Sequence, residues 1–154
     1  MNWIIRDSEK LDCHTNLNNL LKSWIDISEF KWILSDLDVI NFTKKKLPID
    51  FNKSFSVITS DDFKKIIETD IQIVWGVISA INRTEKPKFN KNNPPYVEGN
   101  DNIWINDNFQ VENAIFEITA WDSSYTIIKF KDPELSKKFK LYFDEAIELD
   151  KYNF

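Results

Sequence analysis

Apolar positions along the chain change period several times, and each change predicts an element. Leu17, Leu20, Leu21 and Trp24 recur at helical spacing, which predicts a helix from about Thr15, capped by Asp12 or Thr15. Residues 30–42 read as a strand, with Ile33, Leu37 and Val39 on one face. Trp32, Leu34 and Ile40 fall on the other, beside Asp36 and Asp38. The run Lys44-Lys45-Lys46 followed by Pro48 predicts a loop, and residues 55–58 a short strand. Thr59 or Ser60 then caps a helix with Asp61 and Asp62 in its first turn, where the helix dipole favours acids, and Phe63, Ile66 and Ile67 on its buried side. Residues 71–81 are apolar on both alternating faces, as a central strand covered on both sides should be. Gly76 within it predicts a bulge or a close backbone approach.

Residues 82–102 are polar and contain Pro87, Pro94 and Pro95, so they predict a long loop of the kind that is often functional or disordered. Ile103, Trp104 and Ile105 suggest a short strand at its end. Residues 111–121 and 125–131 predict a β-hairpin. A three-residue connection, Asp122-Ser123-Ser124, sets Phe116 against Phe130, Ile118 against Ile128, Glu117 against Lys129 and Trp121 against Tyr125. That register pairs apolar with apolar on one face and opposite charges on the other. A final helix follows, with Asp132 as cap, Pro133 at the first position, and Leu135, Phe139, Tyr142, Phe143 and Ala146 as its stripe. The whole reads as a single α+β domain over residues 1–154: one layer of mainly antiparallel sheet with packed helices, closing on the hairpin and a helix.

Composition narrows the function classes. At 154 residues the chain can bury roughly 70% of its unfolded surface and hold a core without staples. Two glycines, Gly76 and Gly99, leave no way to write a phosphate loop or dinucleotide fingerprint. The net charge of −5 argues against broad nucleic-acid binding and favours a basic partner. A lone cysteine, Cys13, forbids an internal disulfide and fits a reducing compartment. The three-residue apolar run Trp3-Ile4-Ile5 is too short for a signal-peptide core, and no apolar stretch is long enough to span a membrane. The expected location is cytoplasmic.

No pattern implies a particular reaction. Cys13 and His14 are adjacent, whereas Cys–His catalytic pairs normally come from distant segments; a helix-entry segment is the plainer reading. Metal ligation there would need carboxylates to complete the set. Asp36 and Asp38 could act as a paired carboxylate site, but a solvated strand face explains them as well. Asp122, Ser123 and Ser124 lack a nucleophile-elbow context and suit a turn. The basic stretch 83–91 includes Phe89, a mixture that can suit single strands, but Glu85 lies within it and Glu98 and Asp101 follow. The expectation is therefore binding without catalytic residues, cofactor or metal.

Surface aromatics remain. Trp121 and Tyr125 share a hairpin face with Glu117 and Lys129, and Trp104 borders the long loop. Aromatics framed by charge have the composition of interface hot spots. The candidate partner-binding set is thus Trp104, Glu117, Trp121, Asp122, Tyr125 and Lys129, on a hairpin face that is either open to a partner or covered by the final helix or the long loop. The segment Ala120 to Ile128, followed by Lys131-Asp132-Pro133-Glu134-Leu135 and an acidic helix end, resembles the C-terminal part of small bacterial proteins of uncharacterised families. Several of those are grouped with immunity proteins of polymorphic toxin systems. The resemblance covers about the last forty residues and carries over no catalytic residue. It implies a cytoplasmic antidote that binds one toxin, with a basic toxin domain as the expected partner. The alternative is a small-ligand-binding domain or cryptic enzyme with a pocket under the long loop, built from Asp36, Asp38, Glu117 and the aromatics.

Overall fold

Seven strands join into one sheet in the computed structural model, which describes residues 1–153. The strands are β1 (Trp3–Ile5), β2 (Phe30–Asn41), β3 (Phe55–Ile58), β4 (Ile71–Asn82), β5 (Phe116–Trp121), β6 (Tyr125–Phe130) and β7 (Ile147–Glu148). Their spatial order is β3-β2-β4-β5-β6-β1-β7, and each pairing is antiparallel. Three helices accompany them: α1 (Leu17–Leu21), α2 (Ser60–Ile67) and α3 (Pro133–Tyr142). Helix α2 joins β3 to β4, the two neighbours of β2, and α3 joins β6 to β7, the two neighbours of β1. Each crossover therefore links two parallel strands around an antiparallel third, so both ends of the sheet use the same plan.

The helices cover one face of the sheet. Trp32, Leu34, Ile78, Ala80, Phe116, Ile118, Ile128 and Phe130 meet Leu17, Leu20, Leu21, Phe63, Ile66, Phe139 and Phe143 there. Period-2 apolar positions on the strands and period-3.6 positions on the helices make this layer. Rings dominate it: Trp32 stacks on Phe63 at 3.8 Å, and Trp24 meets Phe116, Phe130 and Phe139 edge-on at 5.4–5.6 Å. Each fully buried ring of this kind contributes roughly 1.5–3 kcal/mol by burial alone. Caps fix where the helices begin. Thr59 accepts from the Asp62 N–H, and Asp132 accepts from the Glu134 N–H with Pro133 in the first helical turn.

The hairpin register is the predicted one, including Glu117 opposite Lys129 and Trp121 opposite Tyr125. Strand β3 and helix α2 also fall where the pattern puts them. Strand β4 is apolar on both faces as expected, although β5 holds the middle of the sheet. At Gly76 an added Cβ would sit 2.6 Å from Leu37 Cδ2, so the close approach is real.

Other expectations are corrected. Strand β2 carries a bulge between Ser35 and Asp38, with Asp36 at φ 54°. The extra residue reverses the alternation, so Leu37 and Val39 join Trp32 and Leu34 against the helices instead of opposing them. Helix α1 is only five residues, capped by Asn16 rather than Asp12 or Thr15, and Trp24 lies beyond its end while still buried. Residues 101–104 form a 3₁₀ turn, not a strand. The hairpin's first strand begins at Phe116, because Val111 and Ala114 are buried from an irregular segment. Strands β1 and β7 were not signalled: each is too short to show a period.

Candidate functional site

The face of the sheet away from the helices is covered by residues 83–115 and the C-terminal tail. Side chains of β4, β5 and β6 that point this way include Trp75, Val77, Trp121, Tyr125 and Ile127, and Ile4 of β1 joins them. Val97 and Ile103 from the long loop and Leu149 from the tail fill the space above these side chains. Val111 and Ala114 do the same over Ile33 and Ile81. Beneath Val97, Ile103, Val111 and Ala114 the space is packed side chain. Glu117 spends its oxygens on loop backbone and Ser79, and Asp36 borders a hollow with Leu37, Phe51, Lys53 and residues 93–96 that does not include Asp38 or Glu117.

Glu117 and Lys129 are the fasteners. Glu117 Oε2 accepts from Ser79 Oγ at 2.9 Å and from the Val111 N–H at 3.1 Å, while Oε1 accepts from the Gln110 N–H at 3.2 Å. Lys129 Nζ donates to the Asn108 carbonyl at 2.8 Å and the Asn102 carbonyl at 3.3 Å. Both residues are 2% exposed. Burial pushes the Glu117 carboxyl up from its ordinary range, against the pull of its N–H and hydroxyl donors and of Lys129. Burial also lowers the Lys129 ammonium to about 8, with Glu117 opposing. Asp36 extends the same device, since its Oδ2 accepts from the Val97 N–H at 2.8 Å. Of the two readings of this hairpin face, cover by the long loop holds at Glu117 and Lys129, so these two cannot meet a partner: they are inside because an irregular segment needs its backbone groups satisfied and these side chains satisfy them.

What stays accessible is an aromatic rim at the hairpin end. Trp121 lies 5.5 Å from Trp75, 5.6 Å from Trp104 and 5.4 Å from Tyr125, and Tyr125 lies 5.6 Å from Tyr152. All five rings are half-buried. Exposed Asp122 sits in the adjoining turn, Asp38 is paired opposite Trp75, and exposed Asp101 and Asp107 flank Trp104 in the chain. The turn itself is strained. Asp122 and Ser123 have φ 49° and 53°, and Ser124 N–H bonds back to the Trp121 carbonyl at 3.0 Å. This is the type I′ geometry that hairpins favour but glycine or asparagine usually supplies. The Ser123 N–H also reaches the Val74 carbonyl at 3.3 Å, tying the tip to β4 beside Trp75.

Of the six candidates, the structure gathers Trp104, Trp121, Asp122 and Tyr125 at one rim and takes Glu117 and Lys129 away from it. Trp75 and Tyr152 join the rim without having been anticipated. Trp75 was hidden in a run apolar on both faces, and its place opposite Asp38 follows from a bulged register that only the folded sheet shows. Tyr152 lies beyond the last patterned element.

The other sequence candidates stay ordinary. The Cys13 thiol is raised by burial and by nearby Asp70, the reverse of an activated nucleophile. His14 Nδ1 is buried without a hydrogen-bond partner among the described residues. No group of three or more His, Cys, Asp or Glu among the described residues could hold a metal ion. None of the helices among them is long and apolar enough to cross a membrane. Comparison with protein-family models, curated proteins and solved structures found no match.

Proposed function

We propose that the chain is a non-catalytic binding protein, a cytoplasmic antidote that neutralises a bacterial toxin domain with a basic surface. The observation that carries this reading is the aromatic rim of Trp75, Trp104, Trp121, Tyr125 and Tyr152, bordered by exposed Asp38 and Asp122. Rigid rings supply contact area at little entropic cost, and the acids supply steering toward a basic groove. The net charge of −5 supports the same pairing. The rim is held by the buried Glu117 and Lys129, so these two residues act on binding by positioning the loop that carries Trp104.

The test is co-expression with the toxin domain encoded beside this gene, followed by binding measurements on two variants. Trp121→Ala should weaken binding by about thirtyfold, the loss of roughly 2 kcal/mol typical of an anchor. Asp122→Asn keeps a residue that tolerates positive φ and removes one acid, so it should slow association most at low salt while leaving the fold intact. Failure to rescue cells, or unchanged binding by folded Trp121→Ala, overturns the reading.

A further inference from the structure

We infer that the free edge of β3 is a second interaction surface, built to receive an extended acidic segment of a protein partner as an added strand. Strand β3 is the outermost strand at its end of the sheet. Its register with β2 and the bond from the Asp36 N–H to the Ser54 carbonyl fix which groups point where. Positions 54, 56 and 58 turn their N–H and C=O groups toward β2. Phe55 and Val57 then turn theirs outward, away from the sheet. An edge of this kind is a ready template for another chain unless it is blunted by proline, inward charge or a covering segment. Strand β3 has no proline and no charged residue within it.

The surroundings select the occupant. Val57 is 41% exposed and Phe51 53% exposed, which offers apolar contact on and beside the edge. A cleft runs along the strand from Pro48 to Ile58 and includes Lys53 and Asp50, and a neighbouring hollow that shares Pro48 is lined by Lys45, Lys46 and Lys65 with Glu68. Residues 43–58 carry four lysines against one aspartate in a chain of net charge −5, while Lys64 and Lys65 beyond them are paired with Glu68 and Asp62. This is a local reversal of sign around an open strand edge. Backbone pairing would give affinity, the lysines would select acidic side chains, and Val57 would favour a β-branched neighbour. A single-stranded nucleic acid would use the lysines and Phe51 but would leave the outward N–H and C=O groups unmatched, so the extended peptide is favoured.

The probe is a blocked eight-residue peptide alternating Glu and Val, titrated into the isotope-labelled protein and followed by NMR shifts and amide exchange. Slowed exchange at the Phe55 and Val57 amides is expected, with shifts confined to 48–58. The same peptide with alternate nitrogens methylated, on the residues that face β3, keeps its charge but cannot pair, and should bind at least about tenfold more weakly. A Lys–Val peptide should fail. Val57→Pro removes an outward N–H that β2 does not use, so the fold should persist while peptide binding drops by a similar factor. Lys53→Glu should also weaken it. Equal binding of the methylated peptide, no binding of the Glu–Val peptide at millimolar concentration, or tighter binding of oligo-dT than of the peptide would each overturn the inference. Because these residues lie apart from the aromatic rim, loss of toxin rescue in Trp121→Ala and loss of peptide binding in Val57→Pro report on different surfaces.

Discussion

The two faces of the sheet are stabilised in different ways. On the helix side, regular elements interlock apolar side chains, and almost any one of them contributes through area removed from water. On the loop side, an irregular segment of more than thirty residues is laid over the strands and held by named polar bonds from Asp36, Glu117 and Lys129. Area is forgiving of shape, whereas a bond to a particular N–H is not. The loop face should therefore fail locally and by single polar changes, and the helix face globally and by lost volume.

Neighbours on β5 make the sharpest contrast, because Phe116 faces the helices and Glu117 faces the loop. Phe116→Ala should cost about 3–5 kcal/mol in chemical denaturation and lower the whole transition. Glu117→Ala leaves two backbone N–H groups and the Ser79 hydroxyl without their acceptor and should cost about 2–4 kcal/mol. In hydrogen exchange its effect should appear first at amides of 97–111, before the β5 and β6 amides respond. Equal loss of protection on both faces in both variants would break the distinction.

Acid–base behaviour offers a second handle. In the unfolded chain Lys129 titrates near 10.5, and in the folded protein near 8. Between those values the unfolded chain holds a proton that the folded protein does not, so this group makes stability rise with pH across the window. Glu117 has the opposite sign. Its folded value is raised above 4.5, so its contribution is fully present below that pH and is lost as pH rises through the folded value. Measured against Lys129→Met, the stability of the native protein should gain up to about 3 kcal/mol between pH 8 and 10.5. A difference that stays flat would mean that the ammonium is not desolvated by the loop. The smallest expected effect is at the hairpin tip. Ser123→Gly relieves a positive φ and should raise stability by about 0.5 kcal/mol, because the relief slightly exceeds the extra freedom of the unfolded chain. A lower midpoint would show that the Ser123 side chain stabilises the tip.

How legible each face was follows from the same physics. The helix face could be read because periodicity is its cause: Phe63, Ile66 and Ile67, or Phe116 opposite Phe130, announce themselves by spacing. The loop face could not, because Val97, Ile103 and Val111 are buried at positions set by no period. The hairpin register placed Glu117 opposite Lys129 correctly, yet alternation alone assigns a charged pair to solvent, and only the folded loop reveals it as interior. The bulge at Asp36 defeated the face assignment of β2 because an inserted residue leaves no mark in composition, and an aspartate at φ 54° is an uncommon choice there. Trp104, Trp121 and Tyr125 were singled out for their chemistry, and their meeting depends on a loop path that no local rule encodes.

The placement of β1 between β6 and β7 has a consequence for synthesis. Trp3, Ile4 and Ile5 pair with residues 126–128 and 147–148, so their partners emerge roughly 120 residues after them. At about 5–20 residues per second the ribosome needs roughly 6–24 s to deliver the β6 strand, and the β7 strand later still. Throughout that interval a Trp-Ile-Ile segment of high strand propensity is left without a native neighbour, in competition with every other unpaired edge nearby. A chaperone that holds the nascent N-terminal segment, or slow decoding ahead of Ile147, would act on the yield of this protein without touching the stability of its finished fold.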